Sequence, residues 1–434
     1  MAREMKDSGV EWIREIPKEW EIKKLKYLSL FQQEKYNEVY EDLVYIGLEN
    51  VESWSGIYIE TDSIYDKSQS LVFHNNDILW GKLRPYLAKV YQCTNMGCCS
   101  SEFCVISLDK MSDIRFFWYL LVSPTFVDTV NRSTYGTKMP RANADFIKNM
   151  HVPIPSIIEQ SIISQFLDNK CKEIDNILTK TRASIEEYKK LKQAVITQAV
   201  TKGIRGNREM KDSGVEWIGE IPIEWELVPF RHVLKERQEK NSPIKSVERL
   251  SLSIDLGVTL YAEKTTNLDR FKDDFEQYKL AYEGDLVMNS MNMIVGATGV
   301  SDYFGCVSPV YYTFYDELED HVTAKYCEYI FRSKTMLRVL YSLGKGIYAI
   351  VRGDDRVNTC RLKVSKEDLK SIITPVPPVE EQREIVNYLK KKCLAIDELI
   401  AKKEQYLSEI ENYKKSLIYE YVTGKKEVPQ KYQA

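Results

Sequence analysis

The chain has 434 residues, roughly two to three times the length of an ordinary domain, so we expect two globular units with connecting structure. Hydrophobic residues make up 44% of the sequence and charged residues 29%, a balance that supports folded cores and excludes wholesale disorder. The formal net charge of −3 argues weakly against a nucleic-acid partner, because phosphate binding depends on positive charge.

The sequence favours a cytoplasmic protein with no membrane partner. Its first residues carry charges where a signal peptide needs an apolar core, and its longest uncharged apolar run, residues 116–127, is too short to cross a bilayer. Nine cysteines are an odd number, and a chain of this length does not need disulfides to fold.

The chain begins with a segment that it later repeats. Residues 5–21 read MKDSGVEWIREIPKEWE, and residues 210–226 read MKDSGVEWIGEIPIEWE. A second pair of similar segments follows, PIPSIIEQ at 153–160 and PVPPVEEQ at 375–382. The protein is therefore two copies of one plan, in which similar heads and tails have a common role and the divergent middles carry specificity. The Trp and Ile residues of the heads either dock a partner or pack in the core, and we favour packing.

The middles are predicted to mix strands and helices. Residues 103–108 and 307–315 are rich in β-branched and aromatic residues, as strands are, while residues 113–121 and 322–331 suit helices. Four cysteines lie close together in the first middle: Cys93, Cys98, Cys99 and Cys104. A zinc site needs CxxC-type pairs or nearby histidines, and His74 is well outside the cluster, so we favour buried strand cysteines over a metal site.

Positive charge in the middles is concentrated in stretches without an acidic residue. Such stretches lie between Asp77 and Glu102, between residues 128 and 145, and between residues 328 and 354. Basic side chains neutralise phosphate and can read base edges, although a single basic run is usually solvated surface. We predict that these stretches contact DNA through Lys82, Arg84, Arg132, Tyr135, Lys138, Arg141, Arg338, Lys345 and Arg352.

Each copy ends in a predicted long helix. Apolar residues recur at alternating spacings of four and three, a coiled-coil pattern, with prolines before each helix and Gly203 or Gly424 after it. The predicted seam contains Leu167, Ile174, Leu178, Ile185, Leu389, Ile396, Ile400 and Leu407. Four polar residues interrupt the seam and predict modest stability with a defined register: Thr181, Lys192, Lys403 and Lys414. The alternative is two separate amphipathic helices, each packed on its own domain.

The sequence lacks the common motifs of catalytic sites. It has no GxxxxGK[ST] phosphate loop, no GxGxxG, and neither of the Asn-Pro-Pro-aromatic and Asp-Pro-Pro-Tyr tetrapeptides that amino-methyltransferases use. Its four histidines form no HExxH or catalytic-triad pattern. We therefore predict that the chain has no catalytic residues and binds no metal or cofactor.

Three segments together resemble the specificity subunit of Type I restriction-modification enzymes: the heads, the PxPPxxEQ segment, and YKKSLIYEYVTGK at 413–425. The likeness extends over the whole chain through its two-copy layout. The segment YGTKMPRAN at 135–143 also resembles a stretch near the end of that family's recognition domains, whereas its counterpart at 344–361 matches less well.

This resemblance implies an α+β fold in which two globular mixed α/β target recognition domains are separated by two long helices. The helices would form an antiparallel coiled coil, related by a pseudo-twofold internal repeat, and would act as a ruler for the DNA spacer. Each recognition domain would bind one half of a split, asymmetric double-stranded DNA site.

The resemblance also implies partners that carry the chemistry. Two modification subunits would bind S-adenosylmethionine and methylate adenine N6, and two restriction subunits would use ATP and Mg²⁺. The chain itself would not be an enzyme. The alternatives from the sequence are a coiled-coil scaffold with two protein-binding domains, and a nuclease or methyltransferase complete in one chain.

On this basis the chain divides into four predicted parts. They are a first recognition domain at 1–156, a central helix at 157–205, a second recognition domain at 206–378, and a C-terminal helix and tail at 379–434. The target bases and the spacer length do not follow from the sequence.

Overall fold

The computed structural model describes residues 3–37, 43–61, 67–136, 138–264, 274–318, 320–346 and 362–432. The chain forms two compact units: unit 1 is residues 1–182 with 404–434, and unit 2 is residues 183–403. Each unit therefore contains part of both long helices. The division into four parts expected from the sequence remains a prediction.

Unit 1 has short strands, short helices, the start of one long helix and the end of the other. Its strands are β1 Met5–Asp7, β2 Glu15–Pro17, β3 Glu21–Lys24, β4 Ser29–Gln32, β5 Tyr45–Ile46, β6 Leu71–Phe73, β7 Ile78–Gly81, β8 Val90–Gln92, β9 Gly97–Cys99, β10 Phe103–Leu108 and β11 His151–Ile154. Its helices are α1 Ile114–Val122, α2 Pro124–Arg132, α3 Ala144–Asn149 and the first part of α4 Ile157–Lys202.

An antiparallel sheet in the order β4-β10-β7-β8 forms the centre of unit 1. The predicted strand at 103–108 is confirmed as β10, which pairs with β7 so that Phe103 lies opposite Gly81. The predicted helix at 113–121 begins one residue later, because Asp113 is its N-cap and accepts a hydrogen bond from the Phe116 backbone N–H at 2.8 Å. Helix α1 is apolar on nearly every side and is buried from Phe116 to Val122.

Unit 2 repeats this arrangement. Its strands are β12 Met210–Asp212, β13 Glu220–Pro222, β14 Glu226–Pro229, β15 Lys235–Glu236, β16 Leu250–Ser253, β17 Gly257–Leu260, β18 Lys279–Ala281, β19 Leu286–Asn289, β20 Thr298–Val300, β21 Gly305–Val307, β22 Tyr311–Tyr315 and β23 Ile373–Val376. Its helices are α5 Tyr261–Lys264, α6 Val322–Arg332, α7 Lys334–Leu343, α8 Lys366–Ser371 and the first part of α9 Val379–Val422.

The central sheet of unit 2 has the order β15-β22-β19-β20, which matches the sheet of unit 1 strand for strand. The prediction of one strand over 307–315 was wrong. Strand β21 pairs with β18, β22 pairs with β19, and a turn in which the Tyr311 N–H donates to the Ser308 carbonyl at 2.9 Å separates them. Pro309 lies in this turn, where its lack of an N–H excludes it from a strand ladder.

The long helices run antiparallel within each unit, as predicted. In unit 1, Asp175 of α4 pairs with Lys414 of α9 at 2.7 Å, and the rings of Phe166 and Tyr421 lie 4.6 Å apart. In unit 2, Lys192 pairs with Asp397 at 2.6 Å. Lys192 and Lys414, two of the lysines that interrupt the seam, thus have aspartate partners on the other helix, at equivalent positions of the two copies. Such specific polar pairs fix the register of a coiled coil.

The predicted seam residues differ in burial. Six are buried, namely Leu167, Ile174, Leu178, Ile185, Leu389 and Ile396. Ile400 and Leu407 are half-buried. Every helix in the described part of the chain is too short or too polar to cross a membrane.

A carboxylate at the start of each long helix anchors the head of the same copy. In unit 1, Glu159 accepts hydrogen bonds from the Trp20 indole N–H at 2.9 Å and from Arg3 at 2.6 Å. In unit 2, Glu381 accepts from the Trp225 indole N–H at 3.1 Å and pairs with Arg208. These bonds support the interpretation that the heads pack against the helices.

The end of the opposite helix completes this junction. Gly203 follows α4 with φ +74°, and a Cβ there would come within 2.8 Å of Glu381 Oε1. Gly424 follows α9 with φ +71°, and a Cβ there would come within 2.4 Å of the Pro17 ring. Glycine is required at both positions by the left-handed backbone and by the close packing on the head.

We expect Glu381→Ala to lower the free energy of unfolding of unit 2 by about 3 kcal/mol. The substitution leaves the Trp225 indole N–H without its acceptor and Arg208, whose side chain is 11% exposed, without its buried partner. The matched control is Glu384→Ala, which removes the half-exposed partner of Arg205 and should cost less than about 1 kcal/mol. Chemical denaturation of the purified variants measures both values, and equal losses would contradict the role of the junction.

Candidate nucleic-acid interface

Three segments of unit 1 meet beside the ends of β7 and β10. The Lys82 N–H donates to the Glu102 carbonyl at 2.8 Å, the Ala142 N–H donates to the Lys82 carbonyl at 2.9 Å, and the Arg84 N–H donates to the Pro140 carbonyl at 2.7 Å. These backbone bonds bring two acid-free stretches together that are far apart in sequence. We call this surface edge 1 and define it by Lys82, Arg84, Glu102, Tyr135, Lys138 and Arg141.

The side chains of edge 1 differ in how they are held. Arg141 pairs with Glu102 at 3.0 Å, so its guanidinium is oriented by a fixed carboxylate. The described residues offer no hydrogen-bond or ion-pair partner to the side chains of Lys82, Arg84 and Lys138. Tyr135 is 77% exposed, and its carbonyl accepts from the Arg141 N–H at 3.3 Å. The edge therefore presents unpaired cations and an aromatic ring around one oriented arginine.

Arg84 has a strained backbone. Its φ of 52° and ψ of 64° lie in the left-handed region, which costs a residue with a Cβ about 1 kcal/mol relative to glycine. A short 3₁₀ turn, Pro85–Leu87, follows directly. Strain of this kind is concentrated at functional sites, where the surrounding structure holds it in place.

The four clustered cysteines lie behind this edge. All four are buried free thiols, with Cys98 and Cys99 in β9, Cys104 in β10, and Cys93 directly after β8. Burial raises the pKa of the Cys104 thiol to about 11, which keeps it protonated at neutral pH, whereas zinc binds the thiolate. In the described ranges, no group of three His, Cys, Asp or Glu residues could hold a metal ion.

Unit 2 has an equivalent surface, edge 2, defined by Ser290, Asn292, Val310, Lys345 and Lys363. The Val364 N–H donates to the Ser290 carbonyl at 3.0 Å, and Lys345 and Lys363 exchange two backbone hydrogen bonds of 2.9 Å. Sheet register places Ser290 where edge 1 has Lys82, and Val310 where it has Glu102. The two edges thus share a backbone frame and differ in side chains.

Sequence reasoning missed Lys363, the counterpart of Arg141. It follows two aspartates at 354 and 355 and so lies outside the acid-free stretch. The tail repeat was the signal that could have identified it. The same sequence offset that aligns the two long helices also aligns Ala142 with Val364, and hence Arg141 with Lys363.

Lys345, which was predicted, is 78% exposed and pairs with Asp368 at 3.0 Å. The hydrogen bond from Ser365 and the pair with Lys345 lower the pKa of Asp368.

The other predicted DNA contacts line cavities that no residue of the two edges lines, or fall outside the described residues. Arg132 ends α2 and lines a cavity of about 870 Å³ together with Trp12 and Tyr419. Arg338 lies on α7 and lines a groove against α4. Arg352 lies outside the described residues. The structure therefore groups Lys82, Arg84, Tyr135, Lys138 and Arg141, and places Arg132 elsewhere in the same unit.

Comparisons with known proteins agree with one another. The family model of the "Type I restriction modification DNA specificity domain" matches residues 17–187. The type I restriction enzyme MjaVIII specificity subunit of Methanocaldococcus jannaschii is 24% identical over 73% of this chain and 70% of its own length. The type I restriction enzyme EcoBI specificity subunit of Escherichia coli is 19% identical over 80% of this chain and 73% of its own.

A solved structure has the same fold. The solved structure is titled as the structural basis of complex assembly and conformational transition of the type I R-M system. One of its chains superposes on this chain with a TM-score of 0.71. It is 16% identical in sequence, and the match covers 94% of this chain and 98% of that chain.

We expect Arg84→Gly to be more stable than Arg84→Ala by about 1 kcal/mol. Both substitutions remove the guanidinium, but only glycine relieves the left-handed strain at φ 52°. Denaturation midpoints of the two variants, measured side by side, test this difference. Equal stabilities would mean that Arg84 is not strained.

Proposed function

We propose that this chain is the specificity subunit of a type I restriction-modification system and reads a two-part DNA sequence with its two edges. The matched family model and the relatives support this proposal. One half of the site is read by edge 1 and the other by edge 2. The observation that carries the proposal is a pair of repeated backbone hydrogen bonds. The bond from the Ala142 N–H to the Lys82 carbonyl recurs from Val364 to Ser290, and the bond from the Arg141 N–H to the Tyr135 carbonyl recurs from Lys363 to Lys345. A common frame with different side chains suits a reader of two different half-sites.

The charges of edge 1 suggest a division of roles. Lys82, Arg84 and Lys138 are unpaired cations, which suits contacts to phosphate oxygens. Arg141 is held by Glu102, and this pair has the donors and acceptor that match a G·C base pair, with arginine bonding guanine and the carboxylate accepting from cytosine N4. A carboxylate among the cations would otherwise weaken phosphate binding, so its presence supports a role in base reading.

The proposal assigns catalysis to partner proteins. Adenine methylation requires S-adenosylmethionine on two modification subunits, and cleavage requires ATP and Mg²⁺ on two restriction subunits. The lack of common catalytic motifs in the sequence supports this assignment. The chain would itself be non-catalytic.

The modular test of the function is a domain exchange. Replacing residues 226–374 with the corresponding segment of a relative should change one half of the methylated sequence and leave the other half unchanged. The readout is genome-wide mapping of methylated adenines in cells that also express the modification subunit. A change in both halves, or in neither, would contradict independent reading by the two units.

Two variants that each remove one positive charge can distinguish phosphate binding from base reading in edge 1. Lys82→Ala should weaken binding to all sequences alike and reduce the slope of log affinity against log salt by about 0.9, the effect of one phosphate contact. Arg141→Ala should instead relax specificity at one position of one half-site, with a discrimination loss of about 1–3 kcal/mol. Affinity measurements of the complex on cognate and single-substituted duplexes distinguish the two. If Arg141→Ala also weakens all sequences equally, the base-reading role is wrong.

A further inference from the structure

A second positively charged surface lies in unit 2, apart from edge 2. It is a groove of about 910 Å³ between the last part of α4 and the start of α7. We call it the α4–α7 groove; its lining residues with positive charge are Lys189, Lys190, Lys202, Lys334 and Arg338.

Four of these cations have no partner. Lys190, Lys202, Lys334 and Arg338 are exposed, and within the described ranges none of them forms an ion pair or a side-chain hydrogen bond. Glu186 is the one carboxylate among the lining residues, and it accepts from Lys189 at 2.9 Å. The lining residues of the groove therefore carry five positive charges against one negative charge.

The first copy of the repeat does not have this charge. Helix α7 follows its N-cap Ser333 as α2 follows Ser123, so Lys334 corresponds to Pro124 and Arg338 to Asp128. The helix ends Thr201 and Thr423 likewise align Lys190 with Asn412 and Lys202 with Gly424. Because the fold at these positions is repeated without the lysines, packing does not require them.

The lining of the groove favours a nucleic acid over a protein. Apart from the charged residues it consists of Gln193, Ala194, Thr197, Gln198, Thr201 and Thr335. Protein interfaces are centred on large apolar or aromatic anchors, and none lines this groove. Phosphate contacts, by contrast, are made by Lys, Arg, Thr and Gln side chains.

We propose that the α4–α7 groove binds the sugar-phosphate backbone of DNA beside the half-site that edge 2 reads. This inference rests on the proposed function. Helix α7 leads from Lys334 at the groove towards Lys345 at edge 2, and its ten residues span about 15 Å. At about 3.4 Å per base pair, that distance corresponds to four or five base pairs, so one duplex can contact both surfaces. The groove adds affinity without sequence information.

The test uses the double variant Lys334→Ala/Arg338→Ala in complex with the modification subunits. We expect the slope of log affinity against log salt to fall by about 1.8, with equal weakening on cognate and non-cognate duplexes and an unchanged methylated sequence. The matched control is Lys390→Ala/Lys391→Ala, which removes the same charge from exposed positions of α9 that do not line the groove. Thermal denaturation of each variant checks that the fold is retained.

Each other outcome overturns a specific claim. If the double variant and the control have the same slope of log affinity against log salt, the groove does not bind DNA and the proposal is wrong. Loss of assembly with the modification subunits, at an unchanged DNA slope, would identify the groove as a docking site for an acidic protein segment and also overturn the proposal. If the wild-type complex itself shows no preference for any duplex, the proposed function fails, independently of the groove.

Discussion

The structure of each unit depends on one carboxylate that joins two distant parts of the sequence. Glu159 and Glu381 each accept a hydrogen bond from the tryptophan indole N–H in the head of their own copy, and each pairs with the arginine two residues before that head. A charge near the core is tolerated only when it is fully paired, so its partners must be kept together. Both copies keep the arginine, the tryptophan and the glutamate that form these bonds, which are Arg3, Trp20 and Glu159 in one copy and Arg208, Trp225 and Glu381 in the other.

The sequence predicted the long helices well because their signals are local. Prolines before each helix, glycines after it and the heptad pattern between them place α4 and α9 within a residue or two. The single strand predicted over 307–315 is interrupted at Pro309, because proline has no N–H to donate to a strand ladder even when strand-forming residues surround it. The sequence did not predict which segments belong to each unit. The reason is that contacts such as the pair of Asp175 with Lys414 join residues that are far apart in sequence.

The candidate site was predictable only in part. Acid-free stretches identified most of edge 1, because its cations come from loops that the sheet brings together. Charge alone could not show that Arg141 pairs with Glu102, because Glu102 marks the end of the first acid-free stretch and lies outside it. Charge alone also grouped residues on helices with residues on loops, although Arg132 and Arg338 line cavities that no residue of the two edges lines.

Unit 1 is built from two segments that are far apart in the chain, and this affects how it forms during synthesis. Its last residues, 404–434, leave the ribosome long after residues 1–182. At about 5–20 residues per second, the interval is on the order of 10–40 s. During that time the apolar faces of Leu167 and Leu178 lack the side chains of α9 that cover them in the finished unit. The nascent chain therefore exposes a hydrophobic stripe along α4 until residues 404–434 have emerged.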